Sequence, residues 1–482
     1  MILNLSIPLW LKAYWQHSQI FAFLDRLAQW QQHSSWVGIG LLGSLLVGLL
    51  GLLPYLSNNQ SGLMTISIAI IWVLIWLGDT LTGQALKSPL HLPLICYWGI
   101  ATLATLLSPV RRDALEGWIK LSLYLLMFAS MSRVLSTSTS NFLNGRLNWR
   151  SLLVGSYLVT SLLVGVYGLR QWFFGAEELA TWTDPTSDLA GTTRVYSFLG
   201  NPNLLAGYLL PAIPLGAIAM IVWRSWSAKC VGALVAIFSL LCVRETYSRG
   251  GLYGLYAEIL ALVILLIYWW SGSQRLPKWA IPGFIVGTVG VLVANILLVP
   301  SQRTRFFSSF LGRADSSANF RLNVWASVLE MIKARPILGI GNGNRAFNKI
   351  YPFFQRPGYS ALGTYSVPLE ITVETGIVGL VLYLWFVVTA VRHGWQQLNY
   401  ARQQQQAEGL WIIGAFSVIA GMISHGLVDT VWFRPQVQIL WWLAIALIAS
   451  FNTLTFNSSD NLSNTPSDLE IDLTDNQANE PD

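Results

Sequence analysis

Apolar runs separated by short polar breaks recur along this chain from residue 36 to residue 454. Each is roughly 17–25 residues long, the length an α-helix needs to cross the hydrocarbon core of a bilayer. They fall at 36–56, 62–78, 89–107, 115–131, 151–174, 203–223, 230–246, 252–270, 280–300, 368–391, 409–428 and 437–454. A soluble chain of this length would alternate buried and exposed faces instead. The pattern therefore predicts an all-α fold, a polytopic transmembrane bundle of about twelve spans. Two features interrupt it. Lys120 sits inside the fourth run, and Pro211 with Pro214 breaks the sixth. Breaks of this kind are tolerated where the freed backbone is buried in protein or lines a cavity.

One connection is far longer than the rest. Residues 301–367 separate two strong spans. Within them Leu322, Trp325, Val328, Leu329 and Ile332 recur at near-helical spacing, which predicts a helix from Arg321 to Ala334 closed by Arg335-Pro336. Connections this long in a compact protein are functional or disordered, and the aromatic and apolar content here predicts order. The expected organisation is a leader over 1–34, nine spans over 35–300, the large loop over 301–367, three spans over 368–454 and a tail over 455–482.

Composition sharpens the membrane reading. Charged residues make up 11% of the 482 positions, against about 25% in soluble domains. Many of the 23 Trp and 17 Tyr lie near the ends of the runs, as in an interfacial aromatic belt. The tail holds seven acidic residues and no Lys or Arg, so the body is more basic than the net charge of +6 conveys. The tail is expected to be disordered. The leader lacks the basic start, short apolar core and cleavage site of a signal peptide, and reads as an amphipathic cytoplasmic segment.

Orientation follows from the short loops. With the N-terminus inside, Lys12, Arg26, Lys87, Arg133, Arg146, Arg150, Arg224, Lys229, Arg275, Lys278, Arg392 and Arg402 all lie on the inner side. The outer loops carry Arg111, Arg112, Arg194 and Arg434. The expectation is a multi-pass inner-membrane protein with the large loop on the periplasmic face.

Candidate chemistry gathers on that face. Four segments reach it: Arg194 to Asn203, Tyr247-Ser-Arg-Gly-Gly251, the large loop, and Asp429 to Arg434. Arginine stays charged and presents a planar fork of donors that fits phosphate or carboxylate oxygens bidentately. Arg249 stands in a glycine-rich break where backbone approaches a ligand closely. Arg194, Arg249 and Arg321 are expected to share one basic surface, with Arg335, Asn201, Asn203 and Tyr365 as further binding candidates. Such a surface suits a pyrophosphate-linked lipid or a small anion such as bicarbonate. Arg303 and Arg305 read better as headgroup contacts. Charges in or near spans default to function. They are Lys120, Arg170, Glu258, Glu370 and Glu374. Glu370, Glu374 and His425 are the candidate bases. His425 and Asp429, four apart, are placed on one helix face.

Other chemistries are excluded. Three cysteines and five scattered histidines give neither disulfide nor metal spacing, so no metal or cofactor is expected. Gly339-Ile-Gly-Asn-Gly343 lacks the strand–turn–helix setting and the lysine–hydroxyl pair of a nucleotide loop, and reads as a tight turn. Membrane lipid is an expected partner, and nucleic acid is not.

Five segments carry a family resemblance: Glu177-Glu-Leu-Ala-Thr-Trp182, Arg194-Val-Tyr-Ser-Phe-Leu-Gly-Asn-Pro-Asn-Leu-Leu-Ala206, Tyr247-Ser-Arg-Gly-Gly251, Asn319-Phe-Arg-Leu-Asn-Val-Trp325 and Tyr365-Ser-Val-Pro-Leu-Glu370. On them the chain resembles the cyanobacterial IctB family, labelled inorganic-carbon (bicarbonate) transporters. The same segments look like the broader O-antigen ligase and polymerase superfamily. That resemblance implies a many-helix membrane protein with one large periplasmic loop. It also implies glycan transfer from a polyprenyl-diphosphate carrier without a required metal. Arg249 and Arg321, with Arg335-Pro-Ile-Leu-Gly-Ile-Gly341, match the superfamily's outer-face and large-loop patterns. One departure stands out. Ligases carry a His-Asn pair where this chain reads Thr364-Tyr365-Ser366. Tyrosine, with a free pKa near 10, is a poor replacement for that histidine as a base.

Overall fold

The computed structural model describes residues 36–81, 88–137, 148–177, 194–271, 280–298 and 316–452, with Arg303 and Phe307 as isolated positions. The leader, the acidic tail, most of the first fifteen loop residues and positions 178–182 of the Glu177 motif lie outside the described residues. The described residues form helices and turns only. The first part runs α1 (Leu41–Leu52), α2 (Asn58–Leu81), α3 (His91–Leu106), α4 (Arg111–Leu135), α5 (Trp149–Phe174), α6 (Pro202–Leu209), α7 (Ala212–Val222), α8 (Trp226–Glu245), α9 (Arg249–Trp270) and α10 (Ala280–Leu298). The loop contributes α11 (Ser316–Ala334) and α12 (Asn344–Ile350), and the chain continues with α13 (Val367–Gln403), α14 (Leu410–Gly426) and α15 (Pro435–Ala449).

Eight helical segments among the described residues are long and apolar enough to cross a membrane. Four shorter apolar helices, at Gly38–Leu52, His91–Leu106, Val286–Leu298 and Pro435–Ala449, occupy the remaining positions where the sequence places a span. The protein is an all-α polytopic membrane protein. Its centre is α14 and α15. Trp411, Trp441 and Trp442 are fully buried there, and nearly every side chain of α15 is enclosed. Peripheral helices instead turn apolar side chains outward, as Leu63 and Ile70 of α2 do, which suits contact with lipid.

The proline break is real and is satisfied from a neighbour. Residues 202–222 form one span, divided into α6 and α7 at Leu210-Pro211. Pro211 brings no N–H and crowds the preceding turn. The Tyr208 carbonyl accepts a 2.6 Å hydrogen bond from the Tyr157 hydroxyl of α5. Caps set the helix starts nearby. Asn148, Asn201, Ser225 and Ser248 each accept backbone N–H bonds at the first turns of α5, α6, α8 and α9.

α13 overruns its apolar stretch by twelve residues and ends at Gln403. The extension is polar, and its side chains find partners at the far end of α9. Tyr268 donates to Asn399 Oδ1 at 2.6 Å, and Arg402 reaches the Trp269 carbonyl and Ser271. That end of the bundle is further tied by Arg150 on Glu408 at 2.8 Å. Arg133 pairs with Asp79 at 2.7 Å, between α4 and α2.

The loop is seated into the bundle by its backbone. Ile340 and Gly341 donate to the Val373 and Glu374 carbonyls at 2.9 and 3.0 Å, and Ile377 donates to the Pro336 carbonyl at 2.8 Å. α13 breaks to admit this segment. Gly376 has φ 73°, and a Cβ there would collide with the Ile337 carbonyl. On the other side Ser108 donates to the Ile340 carbonyl at 2.6 Å, and Asn342 donates to Ala101 O and Thr105 Oγ1 at 3.1 Å each. Gly339, Gly341 and Gly343 all take positive φ, so the glycine triplet is a wedge between α3, α4 and α13. α11, which starts five residues before its expected first residue, packs Val324, Val328 and Met331 against Phe347, Tyr351 and Val373 as a small second core.

Candidate functional site

The site lies where the loop meets the bundle, and three arginines arrive there on different supports. Arg194 precedes a turned segment pinned to α5. Gln171 accepts from Tyr196 and Ser197 N–H at 3.0 and 2.7 Å, and Ser197 donates to the Val164 carbonyl at 2.7 Å. Arg194 itself donates to Thr246 O at 3.0 Å and to Asn203 Oδ1 at 3.3 Å. Asn201 caps α6 through its own side chain, so its role in the structure is local.

Arg249 is the first residue of α9 and is buried. The turn before it is held by Thr246, whose hydroxyl donates to Val243 O at 2.6 Å, and by the Ser248 cap on Gly251 N–H. Tyr247 takes φ 51° in that turn. The two glycines after Arg249 are spatial requirements. A Cβ on Gly250 would lie 2.5 Å from His425 Cδ2, and one on Gly251 would lie 2.7 Å from Ala206 Cβ. They let α9 close against α14 and α6.

Arg321 comes from α11 and faces Asp429, with Nη2 3.6 Å from Oδ2. The other Asp429 oxygen accepts from the Thr430 and Val431 N–H groups at 2.7 and 3.1 Å. The expected sharing of a helix face by His425 and Asp429 is corrected here. α14 ends at Gly426, so Asp429 stands in the following turn and its carboxylate serves Arg321 and that turn. Both residues still line one narrow cleft, about 10 Å³, beside Gly207, Met422, Val431 and Trp432. That is room for about one water. His425 Nε2 is buried without a hydrogen-bond partner among the described residues.

The three arginines sense one another. Burial first, then the neighbouring Arg321 and Arg249, push the Arg194 guanidinium down to about 10, while Asp429 opposes the shift. It therefore stays charged at neutral pH. Like charges are held close beside the Asp429 carboxylate, an arrangement that favours a multiply charged anion. Tyr365 completes this side, with φ 54° and its ring 5.7 Å from that of Phe320. Burial, then Asp429, raises its hydroxyl above the usual tyrosine value, which makes it a donor at neutral pH.

Two of the candidate bases, Glu370 and Glu374, make local contacts. Glu370 Oε2 accepts from Thr364 N–H and hydroxyl at 2.9 and 2.7 Å, fixing the turn that carries Tyr365. Glu374 Oε1 accepts from Gly343 N–H at 2.8 Å and anchors the glycine wedge. Arg335 is exposed just past the end of α11, away from the wedge's buried face. Lys120 is exposed and pairs with Glu116, which also binds Arg345 of the loop at 2.6 Å. Sequence reasoning did not assign a part to Gln171, Asn342 or Asp429 as counter-charge to Arg321. Polarity inside an apolar stretch was the available signal for Gln171, and proximity to the glycine triplet for Asn342.

Comparison with known proteins bears on the same elements. Residues 209–384, from the end of α6 into α13, match the O-antigen ligase family. That stretch contains Arg249, Arg321 and Tyr365, while Arg194 and His425 lie outside it. A Rickettsia felis protein that carries a polysaccharide ligase name is 25% identical over 236 residues, covering 43% of this chain and 55% of the relative. An O-antigen ligase of Pseudomonas aeruginosa PAO1 is 25% identical over 275 residues, covering 54% of this chain and 60% of the relative. This chain thus spans little more than half the length of these relatives. Two of the three arginines, the large loop and the kinked first half of the helix that receives it fall in the stretch over which this membrane protein is similar to the O-antigen ligases.

Proposed function

We propose that this protein transfers a glycan from a polyprenyl-diphosphate carrier at the periplasmic face of the inner membrane. The observation that carries the reading is the proximity of Arg194, Arg249 and Arg321, from three distant segments, to one another and to Asp429. A diphosphate offers several anionic oxygens that suit arginine forks. In the reaction an acceptor hydroxyl attacks the anomeric carbon, the new C–O bond forms, and the bond from that carbon to the diphosphate oxygen breaks. Negative charge collects on the departing diphosphate, where the arginines and the Tyr365 hydroxyl stabilise it. His425 takes the acceptor's proton, because its Nε2 is a basic atom without a hydrogen-bond partner among the described residues, close to Arg321. Glu370 and Glu374 act by holding the Tyr365 turn and the glycine wedge.

Arg249→Lys tests the reading, since it keeps the charge and removes the fork. Transfer is expected to fall by roughly 30- to 1000-fold, the worth of a transition-state contact of ~2–4 kcal/mol. The lipid-linked glycan profile of a deletion strain is expected to change. An unchanged profile with lost bicarbonate uptake would replace this reading with anion transport, the role the IctB resemblance implies. The orientation has its own check. A cysteine at the exposed Ser360 should react with an impermeant thiol reagent before the inner membrane is lysed.

A further inference from the structure

Deeper in the bundle, one carboxyl is left out of all the pairing described above. Glu258 lies on α9, nine residues beyond Arg249, and is 1% exposed. Neither of its carboxyl oxygens has a hydrogen-bond partner among the described residues. The other buried carboxylates differ. Asp79, Glu245, Glu370, Glu374 and Asp429 each hold an arginine or a backbone N–H.

On its α14 side Glu258 is closely packed. α14 crosses α9 at Gly421, where a Cβ would lie 2.7 Å from Glu258 Oε2 and 3.1 Å from the Gly254 carbonyl. A Cβ on Gly254 would in turn lie 2.9 Å from the Gly421 carbonyl. The two backbones therefore touch beside the carboxyl. Tyr157 of α5 is within electrostatic reach of it. Among the described residues Tyr208 on α6, His425 on α14 and, on α9 itself, Tyr253 and Tyr256 are further ionisable groups along this stretch, while Arg244 and Glu245 on α8 pair with each other. Among the described residues no lysine or arginine pairs with Glu258. An ionised carboxylate without a counter-charge is strongly disfavoured in hydrocarbon, and water drawn in to solvate it would have to part the glycine crossing.

We propose that Glu258 is a proton-binding site inside the membrane, occupied as the neutral acid, and that losing the proton loosens the α9–α14 crossing. Arg249 and His425 ride on those two helices, at the end where Gly250 abuts His425. The crossing would thus transmit proton occupancy to the loop-face site. The proton-site claim stands apart from the glycan-transfer reading, and only the transmission uses the arginine site.

A hydrophobic carbodiimide reads the neutral acid directly. The acid's proton moves to a carbodiimide nitrogen and a carboxyl oxygen bonds to the central carbon. The acyl group then shifts to nitrogen, so the stable N-acylurea retains the whole reagent mass. Native protein in micelles at neutral pH, treated with dicyclohexylcarbodiimide and mapped by peptide mass, should show near-complete addition at Glu258 and little at the exposed Glu330. Addition at Glu258 only after denaturation would overturn the proposal. Protection by sodium or potassium would overturn it in favour of a cation site. Glu258→Gln supplies the second measurement, because the amide keeps the shape and cannot ionise. The unfolded chain releases a proton that the native site retains. Wild-type thermal stability should therefore fall relative to Glu258→Gln as pH rises above the ordinary carboxylate range. Parallel profiles would refute the proton site. Inorganic pyrophosphate binding that varies identically with pH in both proteins would refute the transmission alone.

Discussion

Asp429→Asn separates what the site costs when empty from what it gains when filled. The amide keeps an oxygen for the Thr430 and Val431 N–H groups, so the turn survives. What disappears is the Asp429 charge facing Arg321, 3.6 Å away, with Arg194 and Arg249 close by. At an effective dielectric of about 20 that pair is worth about 5 kcal/mol gross. The Arg321 side chain is 17% exposed and the Asp429 side chain 6%, so the pair is neither surface nor deep core. Its loss should cost the empty protein about 1–3 kcal/mol, between exposed-pair and buried-pair values. An anion entering the cluster no longer competes with that carboxylate, so pyrophosphate should bind roughly 5- to 150-fold more tightly, the same energy expressed as affinity. Thermal unfolding of the detergent-solubilised protein, with and without pyrophosphate, reads both signs. Asp429→Asn should melt lower than wild type when empty and gain more from the ligand. An empty variant as stable as wild type, or one that loses the ligand response, would refute this account of the charge balance.

Three further outcomes follow from the geometry. Gly341→Ala, at φ 97° with a Cβ 2.7 Å from Ala114 Cβ, should destabilise the protein by about 2–4 kcal/mol, whereas Gly48→Ala, with nothing within 4 Å, should not; melting temperatures compare the two. Glu374→Ala should cost about 1.5–3 kcal/mol and speed proteolysis of the loop, with Glu374→Gln nearer wild type because an oxygen still meets Gly343 N–H. Arg335→Ala should leave pyrophosphate binding within about twofold of wild type while Arg321→Ala weakens it by at least about tenfold, as titration would show.

The spans were legible because bilayer thickness imposes their length, and hydropathy reports that directly. The overrun of α13 was not, since its polar end is held by Asn399 and Arg402 on partners more than 130 residues earlier in sequence. Among the site residues, the arginines were visible through their charge and glycine-rich surroundings. The part played by Asp429 was hidden because it depends on where α14 stops, and a four-residue spacing says nothing about a helix that ends between the two positions. The structural contacts of Glu370 and Glu374 were hidden for another reason. Each meets a backbone N–H group, which leaves no trace in the side-chain pattern. The seat of the loop was hidden in the same way, with three positive-φ glycines as its sole mark.

That seat fixes an order of assembly. The N–H groups of Ile340 and Gly341 bond to carbonyls of α13, a helix that leaves the ribosome after them. The opposing contacts at Ser108, Ala101 and Thr105 are made by helices synthesised long before. The nascent loop therefore has half of its socket waiting and must be retained, unpaired on one side, until α13 arrives and breaks at Gly376 to receive it. Arg321 is carried on that loop, so the arginine cluster is finished by the same event, and a chain stopped before residue 367 inserts its first ten helices without ever holding a complete site.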